Sequence, residues 1–204
     1  MQQAAQISVE AHRSATWAYE LLRLIHDSAH TDAASLRLQI LNHLVTELGG
    51  VSGTLSLLTE KGDVLTITDA LHLPPEAIGG QVKVAESILG WTIEQRAPLL
   101  LVGDAADDPR LQGRVRGARR GRPRSSICWP LLVNQRPLGA LSINRHEDQP
   151  PFTEQDVAQG SPLVDLLALA LANALLHQQN EERRRDLEVL YEELRATHKR
   201  LEQA

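Results

Sequence analysis

The side chains with the most chemical potential are arginines crowded into one short segment: Arg110, Arg114, Arg116, Arg119, Arg120, Arg122 and Arg124. A planar guanidinium presents paired N–H donors that match a phosphate or a carboxylate, so this segment can hold an anionic ligand. The same composition also suits a solvated loop, and both readings stand. Nucleic acid fits less well, because aromatic content is 3%, the formal charge is −5 and the arginines follow no regular face.

Other reactive types are scarce. Cys128 is the single cysteine, which excludes an internal disulfide and a thiolate metal cluster within one chain. It precedes Trp129 in an apolar run and reads as a small buried hydrophobe. Among His12, His26, His30, His43, His72, His146, His177 and His198, only His26 and His30 have ligand spacing, four apart on an expected helix with no third ligand nearby. Neither a Ser-His-Asp order, a Gly-Lys-Ser/Thr phosphate loop nor a carboxylate pair is present. The sequence therefore predicts no catalytic residue, no metal and no cofactor.

The elements that must position these groups fit one domain with extensions, which is what 204 residues with ordinary apolar content allow. From about Ala4 to Ser28, Trp17, Leu21, Leu24 and Ser28 recur at helical spacing and predict a first helix with one apolar stripe. Thr31 and Asp32 cap a second, which carries Leu36, Ile40, Leu44 and Leu48 on one face, with Leu41 and Val45 beside them, and stops at Gly49-Gly50. Strands follow at Val51 to Leu58 and Val64 to Leu73, joined by a polar turn, then at Gln81 to Ala85. Ser87 caps a short helix, and Leu99 to Val102 is a buried strand. Asp104 to Arg124 reads as a long loop with one helical turn, before a hairpin of Ser126 to Val133 and Leu138 to Asn144 turning at Asn134 to Pro137.

The last element begins at Thr153 and Asp156, whose T-x-x-D spacing marks a helix start. Gly160-Ser161-Pro162 interrupts it, either restarting or kinking the helix, which then runs about 40 residues, or roughly 60 Å. Leu163, Leu167, Leu171 and Leu175 form one row. A second row, Leu166, Leu169, Asn173, Leu176, Asn180, Arg183, Leu187, Leu190, Leu194, Thr197 and Leu201, alternates steps of three and four, the seam of a coiled coil. One row can pack on a sheet and the other needs a partner, which predicts a parallel homodimer. No uninterrupted apolar run approaches a membrane span, because Asp165 and Asn173 break Leu163 to Leu176, and the N-terminus lacks a signal-peptide pattern. A cytoplasmic location and no membrane partner are the expectation.

Five segments in this order resemble the GAF family: Ser87 to Leu101 (SILGWTIEQRAPLLL), Asp104 to Pro109 (DAADDP), Ser125 to Leu132 (SSICWPLL), Pro137 to Ile143 (PLGALSI) and Phe152 to Val157 (FTEQDV). The resemblance implies an α+β fold, a GAF-like central antiparallel sheet with helices on one face and a ligand pocket on the other. To it this chain adds an N-terminal helix and a long C-terminal coiled-coil helix. The expected parts are residues 1–30 as an N-terminal dimerisation helix, 31–178 as the domain and 179–204 as a signalling helix. Dimer contacts fall to Trp17, Leu21, Leu24, Leu166, Leu169, Leu176, Leu187, Leu190, Leu194 and Leu201.

Under the resemblance, the candidate ligand contacts are Trp91, Arg114, Arg119, Arg122, Arg124 and Asn144. The family's cyclic-nucleotide signature, N-K…F-x-x-x-D-E, is matched only in part by Asn144-Arg145…Phe152…Asp156-Val157, where the final Glu is missing. Bilin attachment needs a cysteine, usually beside a histidine, and free methionine sulfoxide reduction needs several; Cys128 alone suits neither. What remains is a non-catalytic sensory module with a possible small anionic ligand and a downstream output domain. The alternative is a ligand-free dimerisation scaffold.

Overall fold

The structure, a computed structural model, describes residues 33–114, 123–146 and 148–202. The expected N-terminal helix with Trp17, Leu21 and Leu24, and the side chains of Arg116, Arg119, Arg120 and Arg122, lie outside the described residues. The described chain runs α1 (Ala33–Glu47), β1 (Ser52–Leu58), β2 (Val64–Leu71), β3 (Gln81–Lys83), α2 (Ile88–Gln95), β4 (Leu99–Val102), β5 (Ser125–Val133), β6 (Arg136–Arg145) and α3 (Glu154–Glu202). Single 3-10 turns stand at Pro75–Ala77, Val84–Glu86 and Pro109–Leu111. The strands form one antiparallel sheet in the order β3-β2-β1-β6-β5-β4.

Period-two alternation divides this sheet into two chemically distinct faces. Leu55, Ile127, Trp129, Leu131, Leu141 and Ile143 point to the side covered by α1 and α3. There they meet Leu36, Ile40, Leu44 and Leu48, each at most 4% exposed, so the stripe read from the sequence is the core stripe. Each such side chain contributes about 1.5–3 kcal/mol through burial. Both long helices back this face as expected, while short α2 lies on the opposite face, packed on β5 and β6.

Two local expectations change. The β5–β6 turn is tighter than the four residues read from the sequence: Val133 pairs with Arg136, leaving Asn134 (φ 49°) and Gln135 (φ 63°) as a two-residue turn in left-handed backbone. That geometry matches the right-handed strand twist. The second change is at Gly160-Ser161-Pro162, which does not break the last helix; α3 is continuous for 49 residues with Pro162 inside it. The turn before the proline is held from the side, since Ser161 Oγ donates to the Val157 carbonyl at 2.8 Å and accepts from Trp129 Nε1 at 3.2 Å. Gly160 admits this closeness, because a Cβ there would lie 2.6 Å from the Trp129 ring. By length and apolar composition alone α3 passes for a membrane span. Its apolar half, however, buries Val164, Leu167 and Leu171 against the sheet, each at most 1% exposed.

The start of α3 is fixed by reciprocal capping: Asp156 Oδ2 accepts from the Thr153 backbone N–H at 2.7 Å, and Thr153 Oγ1 accepts from the Asp156 N–H at 3.3 Å. Beside it, Arg145 at the end of β6 reaches three segments. Its guanidinium donates to the carbonyls of Leu48 and Gly49 at the end of α1 and to Pro150, and lies 3.5 Å from Asp156 Oδ1. The same group stacks 4.0 Å from the centre of the buried Phe152 ring. Replacing Arg145 by Ala removes its hydrogen bond to the Leu48 carbonyl, its pairing with Asp156 and its stacking on Phe152, and should lower unfolding free energy by about 2–4 kcal/mol in urea titrations. Arg145→Lys should recover less than half, since an ammonium lacks the planar fork; an alanine variant as stable as the parent would refute the clamp.

Candidate functional site

The face opposite α1 and α3 carries an unusual concentration of small polar side chains. Ser52, Thr54 and Ser56 alternate along β1, Ser126 stands on β5, and Ser142 and Asn144 on β6. The register brings them together, with Ser52 opposite Asn144, Thr54 opposite Ser142, and Ser126 opposite Asn144. Thr54 Oγ1 and Ser142 Oγ share a 2.8 Å hydrogen bond. Ser126 Oγ donates to Asn144 Oδ1 at 2.7 Å, and Asn144 Nδ2 donates to Ser52 Oγ at 3.2 Å. Ser56 is fully buried, and its Oγ has no partner among the described residues. An orphaned hydroxyl costs about 1–3 kcal/mol, the deficit that a ligand or an ordered water removes.

Local sequence explains what lies over this face. Ser87 Oγ caps α2 by accepting from the Gly90 N–H at 2.9 Å, as the sequence predicts. Gly90 lets the helix sit directly on the Val84–Glu86 turn, because a Cβ there would fall 1.8 Å from the Val84 carbonyl oxygen. Ile93 and Val84 then close over Leu65 and Ala140 on one side. Trp91 packs on the other side against Leu99, Leu101, Leu111 and Cys128.

The loop after β4 is pinned to this assembly by two arginines. Arg110 pairs with Asp108 at 2.7 Å, donates to the Leu100 carbonyl at 2.8 Å and lies 5.9 Å from the centre of the Trp91 ring. The hydrogen bond from Arg110 holds the Asp108 carboxyl below its usual range, and the same bond pushes the Arg110 guanidinium further up. Arg114 donates to the Val84 carbonyl at 3.2 Å and to Glu94 on α2. These are fastening contacts.

The residues singled out from the sequence thus separate. Asn144 sits at the heart of the polar face. Arg124 flanks it, with its backbone bonded to Arg145 and Gly103. Trp91 and Arg114 serve the α2 side, as packing and latch, and Arg119 and Arg122 lie outside the described residues. The partial cyclic-nucleotide signature is taken up by structure: Asn144 bonds Ser52 and Ser126, while Arg145, Phe152 and Asp156 form the clamp. Sequence reasoning missed Ser52, Thr54, Ser56, Ser126 and Ser142. Their alternation in VSGTLSLL and SSICW was visible, but nothing local distinguishes a solvated strand face from a buried one.

Among the described residues, no group of three or more His, Cys, Asp or Glu side chains is placed to hold a metal. Cys128 is 2% exposed, and burial pushes its thiol up to about 12.

Comparison with known proteins adds an independent line. The profile of a family described as GAF domain matches residues 30–172. Among solved structures, the GAF domain from an Acinetobacter phosphoenolpyruvate-protein phosphotransferase is similar with a TM-score of 0.63, at 15% identity, over 78% of this chain and 94% of that one. The GAF-B domain of DevS from Mycobacterium smegmatis is similar with a TM-score of 0.59, at 19% identity, over 72% and 98%. A free methionine-R-sulfoxide reductase from Neisseria meningitidis, solved with its substrate, also has the fold, with a TM-score of 0.60, 18% identity and coverage of 80% and 93%. At these identities the likeness concerns the fold alone. None of the curated proteins compared by sequence matches this chain.

The thiol gives a direct check on reactivity at this face. Iodoacetamide at pH 8 should alkylate Cys128 at least about 100-fold more slowly in native protein than in guanidinium, because only the thiolate reacts. The folded thiol keeps its proton to about 12, whereas the unfolded one loses it near about 8.5. Its stabilising contribution is therefore complete below about pH 8.5 and is lost as pH rises through about 12, a component that Cys128→Ala removes from alkaline unfolding curves. Fast native alkylation would contradict the burial.

Proposed function

The chain belongs to the GAF domain family, and from that premise we propose that it is a non-catalytic, cytoplasmic sensory module that works as a parallel homodimer. In this reading, occupancy of the polar face changes the packing of α3, and α3 relays the change through a coiled coil to a downstream output domain. The observation that carries it is the exposure of α3: from Leu176 to Ala196 every side chain is exposed. That stretch includes Leu187 at 65%, Leu190 at 62% and Leu194 at 67%. These leucines fall at alternating steps of three and four, the spacing a second helix covers. Leu166, Leu169, Leu176 and Leu201 extend the same seam.

The ligand we propose is small, with hydroxyl or amide groups that meet Asn144, and an anionic portion that meets Arg124, Arg119 or Arg122. Occupancy shifts the helix only if the ligand binds the two packings unequally, and a tenfold shift needs about 1.4 kcal/mol of difference. The absence of a catalytic role is supported by the single, buried, protonated thiol, which cannot perform the dithiol exchange of a sulfoxide reductase.

A ligand-free scaffold is the second reading, favoured by one observation. Most polar groups of the face already bond to one another, and Arg114 is engaged by Glu94. Native mass spectrometry of freshly purified protein separates the two readings. A sensor should carry a copurified mass that disappears with Asn144→Ala at unchanged folding, whereas an empty protein supports the scaffold. For the relay helix, Leu190→Asp combined with Leu194→Asp should convert dimer to monomer in sedimentation velocity; a persistent dimer would refute the seam.

A further inference from the structure

The leucines of the α3 seam fall into two blocks. Leu169 and Leu176 are exposed on the side of the helix opposite Leu167 and Leu171, which are buried against the sheet, so this first block is fixed to the domain. The second block, Leu187, Leu190, Leu194 and Leu201, stands on the part of α3 that runs beyond the sheet, and all four are exposed. Between the blocks the steps of three and four pass through Asn180 and Arg183, consecutive seam positions without an apolar side chain.

In a parallel pair each seam residue faces its own copy. One heptad before Arg183 the equivalent position is Leu176, and one heptad after it is Leu190, so two guanidinium groups meet where leucines pack on either side. The arginine stem can lie along apolar neighbours, but the head must stay in water, and two like charges facing each other are destabilising. The acids of the same turn are engaged outside the seam: Glu181 pairs with Arg184 at 3.5 Å, and Glu182 accepts from Gln178 Nε2 at 3.1 Å. Asp186 lies about 60° around the helix from Arg183, at the flank of the seam. What stands in the seam itself is the charge of Arg183.

We propose that Asn180 and Arg183 form a charged gap in the seam, which separates the block fixed to the domain from a distal block whose pairing opens and closes. The inference rests on the parallel dimer proposed above and adds where that dimer is regulated. Each helix stays continuous across the gap, and what is loose there is the packing of one helix on the other. Two helices joined firmly only at Leu169 and Leu176 splay about that point. A small change in their crossing at the domain then decides whether Leu187 and Leu190 meet their copies.

Two measurements on the full chain test it. In sedimentation equilibrium the parent dimer should tighten at least about threefold between about 0.1 M and about 1 M NaCl, as the screening length falls from about 10 Å to about 3 Å. Arg183→Gln should lose that salt response, and Arg183→Leu should lose it and also tighten the dimer at least about tenfold at low salt. Spin labels on Asp165→Cys, beside the first block, and on Val189→Cys, beside the second, report the pairing directly, because Cys128 is buried and escapes labelling. Distances between the two chains should be narrowly distributed at Asp165 and broad at Val189, and Arg183→Leu should narrow the latter. A parent distribution as narrow at Val189 as at Asp165, or a salt response that survives Arg183→Gln, overturns the gap and leaves the dimer standing. A chain that is monomeric in both measurements removes the dimer and the gap together.

Discussion

One guanidinium holds the architecture together. Arg145 meets the carbonyl end of α1, the aromatic ring of Phe152 and the acidic first turn of α3, so segments about 100 residues apart in sequence converge on a single side chain. A positive charge there opposes the negative end of the α1 dipole while neutralising Asp156. With both ends fixed, α1 and α3 have little choice but to run antiparallel over the same face of the sheet. The strand alternation then decides which side chains face the other side, where α2 packs on β5 and β6.

That other side is where structure and chemistry diverge from an ordinary core. A buried sheet face is usually filled with Val, Ile and Leu, whereas here its centre is built from hydroxyls and one amide, bordered by apolar clusters around Leu65 and Leu99. Neutral polar groups in low dielectric are favourable only while bonded, and the face meets that demand internally except at Ser56. Arg110 and Arg114 secure the loop after β4 to the α2 side by contacts within the fold. Their chemistry suits anion binding, and their geometry serves fastening.

How much of this was legible in the sequence depends on the range of the interaction involved. The leucine stripe of α1, the Ser87 cap and the Thr153–Asp156 capping box are set by residues within a few positions of each other, and the sequence displays them. The continuity of α3 through Pro162 is braced by Trp129, over thirty residues away, whereas the sequence around the proline leaves a restart and a continuous helix equally open. Likewise the polar face is buried by tertiary packing rather than by its own sequence, and the role of Arg145 rests on partners from three separate segments. The arginine cluster illustrates the converse: composition drew attention to Arg114, while pairing with Glu94 shows that composition does not say whom a charge serves.

The unbroken course of α3 has a mechanical meaning. From Leu176 to Leu201 the helix extends about 38 Å beyond the sheet it packs on. Such a rod is a lever whose fulcrum is the sheet. A tilt of about 5° at the fulcrum displaces the far end by about 3 Å, comparable to the rise of two residues along a helix. A hinge at Pro162 would have absorbed that tilt near its source, whereas the brace from Ser161 and Trp129 lets the rod deliver it undiminished.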